Sequence, residues 1–456
     1  MRLLIIGTGY VGLVSGTCFA EMGHSVTCLD IDREKIDTLC RGEIPIYEAG
    51  LEEMVRRNTQ AKRLRFATCL KESIADVEAC FIAVDTPVGE NGEADLSRVR
   101  EVVTEIAQHM TGYQLIINKS TVPIGTAKML RYVMATILEA RGVSYDFDLV
   151  SNPEFLKEGS AVSDFMKPDR VILGVSTDRA LQLMKEIYSP FMLRNERIVV
   201  MDIASAEMTK YAANLMLATR ISLMNELAGL CELTGADISK VRLGIGSDHR
   251  IGYDFLYAGA GFGGSCLPKD LRALRTHAQT IGYETLLVDA VNLVNIRQKE
   301  SIADRISEYF RLEHGLNGKV IGILGLSFKP DTDDIREAPA LVLIERLALS
   351  GAILRVYDPV AMPNARKKIS SNIPITWCEN ESEVAIGADG VVLMTEWKQF
   401  RFLDFPLFRK LMRGHLFFDT RNQYCADDMV KRGFDYLSIG KPPAYISEKL
   451  SKVGHE

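Results

Sequence analysis

The chain has none of the marks of a membrane-spanning, secreted or nucleic-acid-binding protein. No apolar run in its 456 residues approaches the length of a bilayer span. The opening Met1-Arg2-Leu3-Leu4-Ile5-Ile6-Gly7 is too short for a secretory signal and reads as a first strand. The 9 cysteines are odd in number and contain no Cys-x-x-Cys pair. That argues against a disulfide framework and against a zinc site, so no metal is expected, and it points to a reducing cytoplasm. A net charge of −6 argues against a nucleic-acid surface while leaving room for a local basic pocket. Low-complexity segments and charge blocks are missing, apart from a loose tail expected from Ser447. What remains is an ordinary globular composition, 25% charged and 47% hydrophobic, long enough for two or three domains.

Short apolar strands alternate with amphipathic helices in the first half. Leu3–Ile6, Ser25–Leu29, Ala79–Val84, Gln114–Asn118 and Phe147–Ser151 read as strands, with helices at 10–22, 33–40, 97–110 and 125–141. Strands apolar on both faces suit a parallel sheet covered by helices on each side, an α/β doubly wound domain. From Ser205 to Thr234 one long helix is expected, starting at Ser205 with Glu207 and Met208 behind it. Helices at 236–245, 268–281 and 284–312 follow. The alternation then returns, with strands at Lys319–Leu324, Ile353–Tyr357, Gly390–Met394 and Leu416–Phe418. The expected division is a Rossmann-like domain at 1–204, a helical segment at 205–314, a second Rossmann-like domain at 315–440 and a tail at 441–456. The two α/β halves read as distant repeats: Gly322-Ile323-Leu324-Gly325 answers Gly7-Thr8-Gly9, and Asp358 answers Asp30.

The run Gly261-Phe262-Gly263-Gly264-Ser265-Cys266-Leu267-Pro268-Lys269-Asp270 holds most of the chemistry. Three glycines let backbone approach a ligand. Pro268 suits a first helical turn, which places the Cys266 thiol where the helix dipole favours thiolate. A lone cysteine is more often a packing residue in a turn. Here glycines, helix start and adjacent charges coincide, and the sequence predicts a nucleophilic thiol.

Gly7-Thr8-Gly9-Tyr10-Val11-Gly12 follows the opening strand and opens a helix. This is the Gly-x-Gly-x-x-Gly spacing of a dinucleotide site: a tight turn, a close pyrophosphate, a helix packed on its strand. Asp30, ending the next strand, can accept both ribose hydroxyls of NAD and would repel the 2′-phosphate of NADP. The same spacing also serves as a ligand-free strand–helix turn. Together, nicotinamide and thiolate point to a particular chemistry. An aldehyde adds to the thiolate, the thiohemiacetal loses hydride, and water hydrolyses the resulting thioester to an acid. Glu154 or Glu158 could activate that water, although spacing alone reads them as solvated loop carboxylates. Lys210 and Asn214, one helical turn apart, could bind an anion or a developing alkoxide, or simply sit on the surface.

These motifs, with Lys119-Ser120-Thr121-Val122-Pro123, Asn152-Pro153-Glu154-Phe155-Leu156-Lys157-Glu158, Glu207 to Asn214, Arg250-Ile251-Gly252, Ser327-Phe328-Lys329-Pro330, Arg336-Glu337 and Phe418-Asp419-Thr420-Arg421-Asn422, resemble those of the nucleotide-sugar 6-dehydrogenases over nearly the whole chain, to about Tyr436. The resemblance implies four-electron oxidation of UDP-glucose to UDP-glucuronate with two NAD in succession. It makes Cys266 the nucleophile and Lys210 with Asp270 the pair handling the alcohol proton and the oxyanion. Thr121 becomes the holder of a catalytic water, and Glu158, with Glu154 beside it, the base for hydrolysis. It assigns substrate contacts to Glu154, Phe155, Leu156, Lys157, Lys210, Asn214, Phe255, Leu256, Tyr257, Gly263, Lys329 and Arg421. Arg250 would come from a neighbouring subunit, so the resemblance implies a homodimer or higher homo-oligomer around the long helix. NAD contacts fall on Gly7, Gly9, Tyr10, Val11, Gly12, Asp30, Lys35, Thr86, Thr121, Glu158 and Arg336. Two residues depart from the family pattern. Asp85 stands where many relatives carry Gly or Asn, and a carboxylate near a diphosphate is unfavourable unless it points away. Leu267 replaces an aromatic residue. Another nucleotide sugar, GDP-mannose or a UDP-N-acetylhexosamine, and a non-catalytic sugar-nucleotide or NAD sensor are the competing functions; the latter has no need of a nucleophile.

Overall fold

The computed structural model describes residues 1–89, 92–192 and 197–446. The tail expected from Ser447 lies outside them. By contacts the chain divides into two compact units, Met1–Ala213 with Arg272–Tyr283, and Asn214–Leu271 with Glu284–Glu456.

The first unit is built on β1 (Arg2–Ile6), β2 (Ser25–Leu29), β3 (Leu64–Ala67), β4 (Ala79–Ile82), β5 (Gln114–Asn118), β6 (Phe147–Ser151), β7 (Val171–Gly174) and β8 (Ile198–Met201). They form one sheet in the order β3-β2-β1-β4-β5-β6-β7-β8. All neighbours are parallel except β6 and β7, which touch antiparallel at Ser151 and Gly174. The central strands β4 and β5 are buried along their whole length, as expected of a sheet covered on both faces. Separate apolar clusters fill the two sides, one around Phe19, Phe81, Phe165 and Phe191, the other around Leu4, Ile82, Val103 and Ile116.

The second unit carries β9 (Val320–Leu324), β10 (Ile353–Tyr357), β11 (Ile375–Trp377), β12 (Gly390–Leu393), β13 (Leu416–Asp419) and β14 (Asp435–Ser438), ordered β11-β10-β9-β12-β13-β14. Every pairing is parallel. This is the connectivity of the first six strands of the other sheet, so the repeat expected from sequence is present. The glycine answering Gly7 is Gly325 rather than Gly322. Each donates its N–H across the sheet, Gly7 to Leu29 O at 2.7 Å and Gly325 to Tyr357 O at 2.8 Å. Both have positive φ, +100° and +92°.

The long helix is Ile203–Thr234, 32 residues. It starts two residues before the expected Ser205, because Asp202 is the capping side chain. Its carboxylate accepts the Ser205 N–H at 2.9 Å and the Ser205 hydroxyl at 2.6 Å. The last helix before β9, Leu286–Tyr309, stops short of residue 312, with a 3₁₀ turn at Arg311–Glu313. Of the expected tail, Ala444 pairs with Tyr436 and Ile446 N–H reaches Asp435 Oδ1 at 2.8 Å.

Candidate functional site

In the first unit the glycine turn lies at the C-terminal end of β1, where strand order reverses between β1 and β4. A Cβ on Gly7 would stand 2.5 Å from Ala83 O, and one on Gly12 would stand 1.9 Å from Gly7 O. Both must be glycine for the strand and helix to meet. Gly9 is different: a Cβ there would meet only Asp85 Oδ1, at 3.8 Å, so its absence leaves space over the backbone. Gly9 is also the N-cap of the helix Tyr10–Glu21 and has no side chain to occupy its first N–H groups. Asp30 Oδ2 accepts the Thr8 N–H at 2.8 Å and hydroxyl at 2.7 Å, and lies 3.3 Å from Lys35 Nζ. Burial alone would raise its carboxyl. The Thr8 bonds, the Asp32 N–H and the Lys35 ammonium outweigh that and hold it below the ordinary range. An ionised carboxylate beside an open glycine cradle fits a dinucleotide. Asp85 does not turn away from the turn; it sits beside Gly9, exposed, with Arg98 Nη1 at 3.6 Å to offset its charge.

The loops after β4, β5 and β6 are tied together. Thr86 donates to Thr121 O at 2.8 Å, and Ser120 donates to Val84 O at 2.6 Å. The Asn152 N–H donates to Asn118 O at 2.9 Å. Glu154 is fully committed: Oε1 is 3.0 Å from Lys210 Nζ, and Oε2 accepts the Leu156 N–H at 2.6 Å. Burial opposes its charge, but Lys210, the Leu156 N–H and Lys119 hold it ionised below the usual range. Lys210 is 4% exposed and lies 5.2 Å from the Phe155 ring centroid. Leu156 packs into the core beside it. Lys157 is exposed and paired with Asp164 at 3.4 Å. Glu158 is half-buried, directly before Gly159.

In the second unit Cys266 immediately precedes the helix Leu267–Thr280, and its carbonyl accepts the first helical bond, from Asp270 N–H at 2.9 Å. The thiol is half-buried, 3.5 Å from Ser265 Oγ. Burial pushes the Cys28 thiol up to about 12, so that sulfur stays protonated. Two other cysteines precede helices, Cys69 and Cys425, but those helices have only 4 and 6 residues. Asp270 is 2% exposed; its Oδ2 accepts from Asn214 Nδ2 at 2.6 Å and its Oδ1 is 3.3 Å from Lys269 Nζ. The glycines before Cys266 are sterically required. A Cβ on Gly263 would be 2.4 Å from Glu337 O, and one on Gly264 would be 2.8 Å from the Phe328 ring.

Other expected contacts lie in this same unit. Arg336 makes a two-pronged pair with Asp334, Nε to Oδ1 at 2.9 Å and Nη2 to Oδ2 at 2.7 Å. Arg421 donates to Met394 O at 2.6 Å and pairs with Glu396 at 3.0 Å. Lys329 Nζ sits 5.8 Å from the Phe328 ring centroid. Phe255 has φ +60°, a costly conformation for a bulky residue. Leu256 beside it is core, 2% exposed, so only its backbone could face a ligand; Tyr257 is exposed. Arg250 is highly exposed and bound to Asp248 of its own chain at 2.5 Å.

The expected residues thus fall into two groups, each assembled within one unit. Three supporting residues carry no role in the sequence reading. Lys119 is 4% exposed, with Nζ 3.2 Å from Asn152 Oδ1 and 3.5 Å from Tyr188 Oη. Glu207 accepts N–H groups of Gly125 at 2.6 Å and Ala127 at 3.0 Å, capping the helix Thr126–Ala140 that follows the Thr121 loop. Asn295 clamps the cysteine loop, accepting the Phe262 N–H at 2.8 Å and donating to Phe262 O at 3.1 Å. Lys119, directly after the apolar strand ending Leu-Ile-Ile-Asn, and Glu207 stand inside motifs quoted from the sequence, whereas Asn295 does not.

The UDP-glucose/GDP-mannose dehydrogenase family matches in three consecutive parts: its NAD binding domain at residues 1–192, its central domain at 204–297 and its UDP binding domain at 322–426. UDP-glucose 6-dehydrogenase of Pseudomonas aeruginosa is 47% identical over 447 residues, 97% of this chain and 98% of its own. UDP-glucose 6-dehydrogenase TuaD of Bacillus subtilis is 41% identical, covering 99% of this chain and 95% of its own. Among solved structures, a UDP-glucose dehydrogenase from Pyrobaculum islandicum superposes with a TM-score of 0.87 at 34% identity, covering 96% of this chain and 98% of that one.

Proposed function

From the premise that this chain belongs to the UDP-glucose/GDP-mannose dehydrogenase family, we propose that it oxidises UDP-glucose to UDP-glucuronate in two steps, with Cys266 as covalent nucleophile. The observation that carries the covalent step is the cysteine loop itself. A half-buried thiol stands at the start of a 14-residue helix, with the buried Asp270 carboxylate in its first turn held by Asn214. Binding alone gives no reason for that construction.

The Gly7–Gly12 turn and the Asp30 carboxylate would hold NAD, which would supply the hydride acceptor for each oxidation. Lys210, 3.0 Å from the Glu154 carboxylate, stabilises negative charge developing on the substrate oxygen. Cys266 Sγ bonds to the aldehyde carbon, and after the second oxidation the carbon is held as a thioester. Water attacks it, the C–S bond breaks, and the sulfur leaves as thiolate. Glu158, the residue the family resemblance assigns to hydrolysis, serves as the base for that water, with Thr121 orienting it, while Glu154 holds Lys210 and the Leu156 N–H. In this division of labour residues 1–204 bind NAD, 205–314 carry the cysteine loop and the subunit contact, and 315–440 bind the UDP portion. Exposed Met216, Leu223 and Leu230 recur every seven residues along the long helix and support a homodimer, with Arg250 reaching the partner's substrate. A cytoplasmic setting keeps the thiol reduced.

The test is stoichiometry. Purified protein with UDP-glucose and NAD should yield two NADH per product, with a product mass equal to UDP-glucuronate. GDP-mannose and UDP-N-acetylhexosamines should be poor substrates. Cys266→Ser should lose acid formation by about a thousandfold or more, because an alkoxide is a far poorer leaving group than a thiolate. Unchanged acid formation in that variant would remove the covalent step, and no NADH at high enzyme concentration would favour the sensor.

A further inference from the structure

Glu48 is a buried carboxylate beside the dinucleotide turn that the chemistry above leaves unused. It lies in the loop before the helix Leu51–Gln60 and is 5% exposed. Its Oε2 accepts the Tyr10 hydroxyl and, at 2.7 Å, the Gly159 N–H; that N–H is also 2.8 Å from Tyr10 Oη. Its Oε1 faces the Val162 N–H at 3.4 Å. Gly159 has φ +80°, a conformation open to glycine, which aims its N–H at this carboxylate. Burial, and after it Glu48, push the Tyr10 hydroxyl far above its ordinary range, so it remains a neutral donor. A cavity of about 370 Å³ opens against Glu48, Gly159, Ser160 and Val162, which gives that segment room to shift if it is released.

Tyr10 belongs to the Gly7–Gly12 turn, and Gly159 directly follows Glu158. We propose that Glu48 is a positioning residue that latches the Glu158 segment to the dinucleotide turn, so that cofactor binding and the placement of Glu158 depend on one carboxylate. The proposal rests on NAD lying at that turn. Loss of the carboxylate leaves a buried hydroxyl and a buried N–H without their acceptor, and both segments relax together.

The experiment compares Glu48→Ala, Glu48→Gln, Tyr10→Phe and Asp30→Ala by amide hydrogen exchange, by calorimetric titration with NAD in the absence of sugar, and by KM for each substrate. In Glu48→Ala the Gly159 and Val162 amides should exchange about tenfold faster or more, and the NAD Kd should rise about tenfold. KM for UDP-glucose should stay within about twofold. Glu48→Gln, whose amide oxygen can accept from both donors, should recover most of the NAD affinity. If Glu48→Ala does not fold, Tyr10→Phe should still weaken NAD several-fold. Unchanged exchange at Gly159, or faster exchange with unchanged NAD affinity, overturns the latch. So does a loss spread equally over NAD and UDP-glucose. Unchanged NAD affinity in Asp30→Ala would sink the cofactor placement and the proposal with it; unchanged affinity in Glu48→Ala alone sinks only the coupling.

Discussion

Lys119 shows how a single residue can carry an electrostatic cost into a site. Burial, and the neighbouring Lys210 ammonium, lower its amine to about 8 from an ordinary 10.5, against the opposing pull of Glu154. Because the folded value lies below the unfolded one, the folded chain holds fewer protons between them. Stability assignable to Lys119 is therefore present above the unfolded value and is lost as pH falls through about 8. Wild type should gain about 2 kcal/mol relative to Lys119→Met between roughly pH 7 and pH 9.5. Urea denaturation at a series of pH values checks this, and a constant difference would place the amine in its ordinary range. Backbone strain is concentrated at the same scale. Phe255, Glu337 and Asn422, all within or beside motifs read from sequence, have φ of 60°, 55° and 54°. Asn422 is held there by a reciprocal pair with Ile439, at 2.9 and 3.0 Å.

At the scale of elements, Glu207 joins the long helix to the helix Thr126–Ala140 by capping it. Glu207→Ala should cost about 1–2 kcal/mol in chemical denaturation, with Glu207→Gln recovering part of that loss, since its amide oxygen can still accept an N–H. An effect below a few tenths of a kcal/mol would mean water replaces the cap. Sequence patterning read the central elements to within a residue or two: β2, β5, β6 and β10 have the expected bounds. Doubly buried strands are continuous apolar runs, and those stand out in a sequence. The strands it missed, β3, β7, β8, β11 and β14, are three or four residues long and lie toward the sheet ends. β8, for example, leaves Val199 and Val200 44% and 45% exposed, so no buried stripe marks it. The site was legible where chemistry demands a rare pattern, as in the glycines around Cys266 and at Gly7–Gly12. Glu48, Glu207 and Asn295 were illegible because their partners are largely backbone groups, which leave no trace in residue identity.

At the scale of the whole molecule, the proposed homodimer rests on the exposed Met216, Leu223 and Leu230. Leu223→Glu with Leu230→Glu should convert the proposed dimer to monomer in light scattering while leaving far-ultraviolet circular dichroism unchanged. A dimer that survives both changes would place the contact elsewhere. The two sheets share one strand order, yet their acidic strand ends differ. In the second sheet Asp358 is 1% exposed, and its Oδ2 accepts from Leu326 N–H, Ser327 N–H and Trp397 Nε1 at 2.8, 3.0 and 3.1 Å. Its Oδ1 accepts the Val360 and Ala361 N–H groups at 2.9 and 2.7 Å. On the proposed cofactor placement, an inhibitor built around adenosine would meet an acidic anchor at Asp30 in one half of the chain, and in the other a carboxylate already sealed beneath an indole.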